Sequence, residues 1–257
     1  TEETFVMLNT SEPPFDDIRA RRALALATDP VDYVAVITGD VNAPASGVFA
    51  PSSPWYLEDN GYPEYDPEEA RRLVEEIKAD KGEFRFVLRG AGPDTAKNVE
   101  YLQQQWAMVG IDAQVNTEQQ GSFITDAVGG NYQANFWRQF GAPDPDTDYL
   151  WWISDNAEGP LALNIARNKN PEIDAALDKG RRSDDQATRL EAYHELQRLM
   201  SQDVPYIWLA HTTWAIAANN NVRGITNGPL PNGEAAYPVG GSGFPGVTFL
   251  TQTWKTG

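Results

Sequence analysis

Residues 135–149 read NFWRQFGAPDPDTDY, and this stretch holds the side chains best suited to chemistry. Trp137 offers a stacking face, Arg138 a fixed cation, Gln139 an amide and Phe140 an apolar wall, the usual make-up of a small-molecule site. The competing reading is that an aromatic cluster at a strand end simply belongs to the core. Asp144, Asp146 and Asp148 follow at alternate positions, with Asp155 at the twelfth place of a calcium loop. Tyr149 stands where such a loop needs glycine for its turn, and the last ligand is not glutamate, so calcium is a minority reading. Asp144 and Asp146 could instead be the paired carboxylates of a hydrolase. With 37 acidic residues in the chain, however, close pairs arise by chance.

The elements that must hold these residues follow from the apolar pattern. Residues 134–137 form the end of a buried strand, the Gly141-Ala142-Pro143 and Asp144-Pro145 steps force an irregular turn, and a helix restarts over 147–153. Upstream, the pattern predicts a strand at 84–88, a helix over 94–109 closed by Gly110 and a strand at 111–117. It continues with a helix over 122–128 closed by Gly129 and a strand at 133–137. Strands separated by such helices imply right-handed crossovers and a parallel sheet. Ligands of open α/β sheets gather at the carboxyl ends of the strands, here Arg89-Gly90, Thr117-Glu118 and residues 137–140. Arg89 and Arg138 are therefore expected to face one crevice, against the alternative that each forms an ordinary salt bridge.

Ahead of this unit lie a short strand at 4–8 and a helix near 16–28 that Asp16 or Asp17 can cap. A second helix follows over 30–38, with Asp29 as cap and Gly39 as stop. Residues 42–65 carry too many prolines and glycines for regular structure and read as an ordered loop pinned by Phe49, Trp55 and Tyr56. Asp66-Pro67-Glu68-Glu69 predicts a capping box, Asn170-Pro171-Glu172 a helix to about Arg181, and Ser183-Asp184-Asp185-Gln186 a second capping box for a helix through Met200. Residues 205–210 and 213–218 read as a hairpin or bent strand pair, 219–246 as a tail rich in Asn, Gly and Pro, and 247–251 as a last strand.

Composition excludes several functions. The net charge of −17 opposes nucleic acid and anionic membrane surfaces. The absence of cysteine removes disulfides and thiolate metal sites and is compatible with export. No apolar stretch approaches a membrane span, and the first residues are neither a signal peptide nor an initiator methionine, so the chain reads as a piece of a longer one. Residues 241–246 spell a dinucleotide fingerprint, but Pro245 and the strand-like residues after it replace the required helix, so they read as a loop. His194 and His211 form no pair at metal spacing, and no cofactor is expected.

Four segments carry a resemblance. FVMLNTSEPPFDDIRARRALALATD, YDPEEARRLVEEI, VGIDAQV and NPEIDAALDKGRRSDDQATRLEAYHELQRLMSQDVPYIWL are similar to stretches of extracellular solute-binding protein family 5, the binding proteins of peptide- and nickel-type ABC transporters. The resemblance implies an α/β, type II periplasmic-binding-protein-like lobe with a mixed, largely parallel sheet flanked by helices. It implies a two-lobed protein that closes on its ligand, with residues 9–218 as the carboxy-terminal lobe and residues 1–8 and 219–257 as hinge and return segments. Implied with it are a non-catalytic, monomeric, extracytoplasmic protein in the periplasm or anchored at the cell surface, a small or peptide solute, and a membrane permease as partner. Ligand contacts are expected from Arg89, Trp137, Arg138, Gln139, Phe140 and Asp144, with His211 and Trp214 on the facing wall. In peptide-binding members an aspartate three residues after the tryptophan matching Trp137 pairs with the peptide's amino group. Phe140 stands there in this chain, and the loop before Asp144 is one residue longer. A standard peptide ligand is thereby put in question, leaving an apolar, sugar-like or cationic solute open.

Overall fold

The computed structural model describes residues 2–140, 144–214, 217–224 and 253–256. Its spine is a six-stranded sheet of β1 (Glu2–Leu8), β2 (Ala43–Pro44), β3 (Arg85–Ala91), β4 (Asp112–Glu118), β5 (Ala134–Phe140) and β6 (Tyr206–Thr212), in the order β2-β6-β1-β5-β3-β4. β3 lies parallel to β4 and β5, as the strand–helix alternation requires. β1 runs antiparallel to both β5 and β6, and β2 antiparallel to β6. The sheet is mixed, with its parallel part confined to the three strands of the periodic stretch.

Helices cover both faces: α1 (Ile18–Leu26), α2 (Pro30–Tyr33, continued by a π-helical turn Val34–Thr38), α3 (Pro67–Lys81), α4 (Ala96–Ala107), α5 (Gln120–Gly129), α6 (Tyr149–Trp152), α7 (Pro171–Arg182) and α8 (Gln186–Asp203). Strand alternation sorts the core into two clusters. Val6, Leu8, Leu88, Phe136 and Ile207 pack with α1, α3 and α4 on one face, and Phe5, Met7, Tyr206 and Trp208 pack with α7 and α8 on the other.

Local chemistry sets the helix starts. Asp17, Asp29, Asp66 and Asn170 each accept backbone N–H bonds as caps, and Gly39 (φ 60°) ends the π-helical turn in the left-handed region. Two capping boxes are not formed as expected. Glu69 spends its carboxylate on Arg72 instead of reaching back, and Asp185, not Ser183, caps α8. β3 and β5 each run three residues past their expected ends, which carries the strand termini to Ala91 and Phe140. Gly90 makes the approach of α4 possible, because a Cβ there would meet Thr95 Oγ1 at 2.3 Å.

Phe49 and Trp55 pin the proline-rich loop, with Tyr56 only half-buried. Gln197 also donates to the Trp55 carbonyl at 2.9 Å. The expected hairpin does not form: residues 213, 214, 217 and 218 are not strand, because β6 takes β1 and β2 as its partners. Of the tail, β7 (Val222–Arg223) and β8 (Trp254–Lys255) form a two-stranded antiparallel sheet. The glycine-rich motif at 241–246 and the strand expected at 247–251 lie outside the described residues.

Trp106 is the largest fully buried side chain, and its indole N–H donates to Thr28 Oγ1 at 2.9 Å. Trp106→Ala should cost ~3–5 kcal/mol in urea unfolding. Thr28→Ala, which strands the indole N–H, should cost about 1–3 kcal/mol. A Thr28→Ala protein as stable as the parent would show that this bond carries no weight.

Candidate ligand-binding site

A cavity of about 550 Å³ opens where β3, β5 and the start of β1 end together. The sheet contributes Glu2, Thr4, Trp137, Arg138 and Thr212. The helix starts beyond β3 and β4 contribute Asp94, Asn98, Gln120 and Phe123. This is the carboxyl-end crevice expected of an open α/β sheet.

Two features mark its electrostatics. The caps of α4 and α5, Thr95 and Gln119, make no side-chain capping bond, whereas α1, α3, α7 and α8 are capped by Asp17, Asp66, Asn170 and Asp185. Both helix starts border the cavity, but α4 continues from the 3-10 turn Pro93–Thr95, where Thr95 and Ala96 donate to the Gly92 and Pro93 carbonyls, so it is the uncapped start of α5 whose N–H groups and dipole favour negative charge there. The second feature is Glu2, whose side chain is fully buried, with Arg138 Nε at 3.3 Å and the Trp214 indole N–H donating to Oε2 at 2.8 Å. Glu2 Oε1 accepts no hydrogen bond, and burial raises its pKa against the pull of Arg138. Arg138 itself is 61% exposed, so its guanidinium is anchored at Nε and presented to the cavity.

The expected residues divide among several places. Arg89 does not share a crevice with Arg138. Its donors go to Glu118 at 2.6 Å, Asp126 at 2.7 Å and the Asn131 carbonyl at 2.8 Å, and it lines a separate hollow with Glu12 and Gln133. The ordinary salt-bridge reading describes its geometry. Trp137 stacks on Phe123 at 5.4 Å, at the cavity wall. Gln139 points to the opposite sheet face from Arg138, because successive strand residues alternate. Phe140 pairs with Glu2 through the backbone at the end of β5.

Asp144 is held away by Arg189, which donates to both carboxylate oxygens at 2.6 and 3.0 Å and keeps the Asp144 pKa below the usual carboxylate range. Trp214 touches the site through Glu2. His211 does not line the cavity wall. Its cross-strand partner is Glu3, which places it on the face away from Glu2 and Thr4, and it is buried there with Nδ1 unpartnered. Sequence reasoning missed Glu2 and Thr4, which alternate on one strand, and Asp94, whose Pro93-Asp94 step signals a helix start at a strand end. Among the described residues no cluster of His, Cys, Asp and Glu could hold a metal ion, and no helix is long and apolar enough to cross a membrane.

Burial depresses the His211 pKa to about 4 from 6.5. The unfolded chain then binds the proton more readily, so stability should rise with pH between these values, by up to ~3 kcal/mol, and stay level above. Urea midpoints of the parent and His211→Leu from pH 4 to 8 isolate this contribution, and identical slopes would refute it.

Comparison with known proteins identifies the fold and the family. Di/tripeptide-binding protein 2 of Pseudomonas aeruginosa is 28% identical over 87% of this chain and 43% of its own length. The dipeptide-binding protein of Escherichia coli is 26% identical over 88% of this chain and 43% of its own length. The chain thus spans less than half the length of these curated relatives. The oligopeptide-binding protein AppA of Bacillus subtilis, solved with a nonapeptide, superposes with a TM-score of 0.84 at 18% identity, over 100% of this chain and 51% of AppA. A dipeptide-binding protein of Pseudoalteromonas, solved with Met-Leu, gives a TM-score of 0.81 at 23% identity, over 99% of this chain and 48% of that one. The sequence profile of the bacterial extracellular solute-binding proteins, family 5 (middle region), matches residues 1–160, and the chain belongs to that family.

Proposed function

We propose that this chain is one lobe of the substrate-binding component of an ABC importer, and that the 550 Å³ cavity is its half of the solute cleft. The observation that carries the reading is the meeting of Arg138, Trp137 and the uncapped start of α5 at the carboxyl ends of the strands. Glu2 and Thr212, paired at the mouth, begin β1 and end β6, the two strands suited to cross into a second lobe. Residues 9–218 are then the lobe proper. The protein works as a monomer outside the cytoplasm, in the periplasm or anchored at the cell surface, and delivers its solute to a membrane permease.

A hydrolase is a poor fit. Asp144 is paired with Arg189 and Asp146 with Arg181, and a general acid needs a raised pKa where that of Asp144 is lowered. The same Arg189 clamp keeps Asp144 from substituting for the aspartate that Phe140 replaces. A free amino terminus therefore lacks the family's aspartate at this position, and the acids that do line the cavity are Glu2, already beside Arg138, and Asp94, while the start of α5 and Arg138 suit a carboxylate or other acceptor on the solute.

Binding should be weak in the isolated chain, since half a cleft supplies only part of the contacts, and equal affinity of lobe and two-lobed protein would overturn the placement of the site. In the two-lobed protein, Arg138→Ala should weaken the co-purifying solute, identified by native mass spectrometry, about ten- to a hundredfold. Calorimetry with a short peptide and its N-acetylated form tests the charge preference: the acetylated form should bind at least as well, and strong binding lost on acetylation would refute it.

A further inference from the structure

Glu2 is a buried carboxylate beside the guanidinium that faces the solute cleft. It opens β1, between β5 and β6, with its side chain on the cavity face and no exposed surface. Oε2 is engaged by the Trp214 indole N–H at 2.8 Å, whereas Oε1 accepts no hydrogen bond and has Arg138 Nε beside it at 3.3 Å. The two Nη groups of the largely exposed Arg138 have no partner among the described residues. Asp94, at the helix start beyond β3, is the remaining charged residue among the described ones lining the cavity, and it is exposed. Tyr33 on α2 stays protonated, its hydroxyl donating to Asn98 Oδ1 at 2.7 Å, and α5 and β6 add no charge. The amino-terminal charge pulls the Glu2 pKa down as Arg138 does, and burial outweighs both.

With Glu2 ionised, the Glu2–Arg138 pair is neutral. An uncharged acceptor on the solute, such as an amide carbonyl, can then take the Nη donors without disturbing it. A carboxylate in the same place puts two negative charges on one guanidinium, roughly 7 Å apart, in a cleft that closure strips of water. No second cation lines the cavity among the described residues to meet that charge. The simplest relief is a proton taken from solvent onto Oε1, which has no hydrogen bond to lose. We infer that Glu2 sets the charge of the group Arg138 receives: the ionised pair takes a neutral acceptor, and a carboxylate binds there only together with a proton on Glu2. This rests on the cavity being the solute cleft.

N-acetyl-dialanine and its carboxamide, alike except for the terminal charge, are the probes, titrated calorimetrically into the two-lobed protein from about pH 5.5 to 8. In buffers of different ionisation enthalpy, the acid should take up close to one proton per molecule bound at the upper end of this range, and the amide none. The affinity of the acid should fall by up to about tenfold per pH unit above the ionisation of Glu2, while that of the amide stays level. His211, whose pKa burial holds at about 4, stays neutral over this range. Glu2→Gln should abolish the proton uptake and, at about pH 8, tighten the acid about tenfold or more while leaving the amide within about twofold. Trp214→Phe, which removes the donor to Oε2, should move the fall in acid affinity to higher pH, a response that lost packing alone would not give. An acid probe that depends on Arg138 yet binds without proton uptake, or that keeps its pH profile in Glu2→Gln, overturns the inference alone. Binding of neither probe, or of both undiminished in Arg138→Ala, overturns the cleft reading and the inference with it.

Discussion

Everything in this fold depends on β1 lying between β5 and β6. All seven of its residues are buried, and its ladders to both neighbours run nearly its whole length, with one register shift at Thr4/Phe5 on the β6 side. A strand so enclosed allows its side chains only two destinations. Glu2, Thr4, Val6 and Leu8 go to one face, and Glu3, Phe5 and Met7 to the other. The cavity lined by Glu2 and Thr4 and the aromatic packing around Phe5 are thus two outcomes of one alternation, separated by the thickness of a single sheet. Trp137 borders both.

The fold was largely legible in the sequence because its signals are local. Proline after an acidic cap, glycine after a helix and apolar periodicity each act within a few residues, and they located the helices from Ile18 to Asp203 and the three parallel strands. The site was legible only in part. Reading Trp137, Arg138, Gln139 and Phe140 as one constellation ignored the period of two that sends Gln139 and Arg138 to opposite faces. The pairing of Asp144 with Arg189 joins positions 45 residues apart, and that of Glu2 with Trp214 joins positions 212 apart. No pattern within a window of residues encodes such partners; they follow from the packing of finished elements. The hairpin expected after Pro205 failed for a related reason, since β6 found better partners in β1 and β2 than in the chain that follows it.

Capping also distributes work across the molecule. α1, α3, α7 and α8 close their first turns with the side chains of Asp17, Asp66, Asn170 and Asp185, at a gain of about 1 kcal/mol each. Of the two at the cavity, α4 is closed by the 3-10 turn before it, and α5 omits that closure and leaves its first N–H groups available. Local stability is forgone at that helix start, and the Glu2–Arg138 pair beside the same cavity shows a similar pattern, with a buried acceptor left without a donor beside a cation turned outward.

The position of β1 has a further consequence for how the chain comes to be folded. Its two neighbours begin 132 and 204 residues after its own first residue, at Ala134 and Tyr206. During synthesis at about 5–20 residues per second, the strand emerges and then waits about 10–40 seconds for its second partner. Through that interval an apolar strand with open edges must avoid pairing with other chains. The acids at its leading end, Glu2 and Glu3, and the net charge of −17 act as repulsion between nascent copies before they act as anything in the finished sheet.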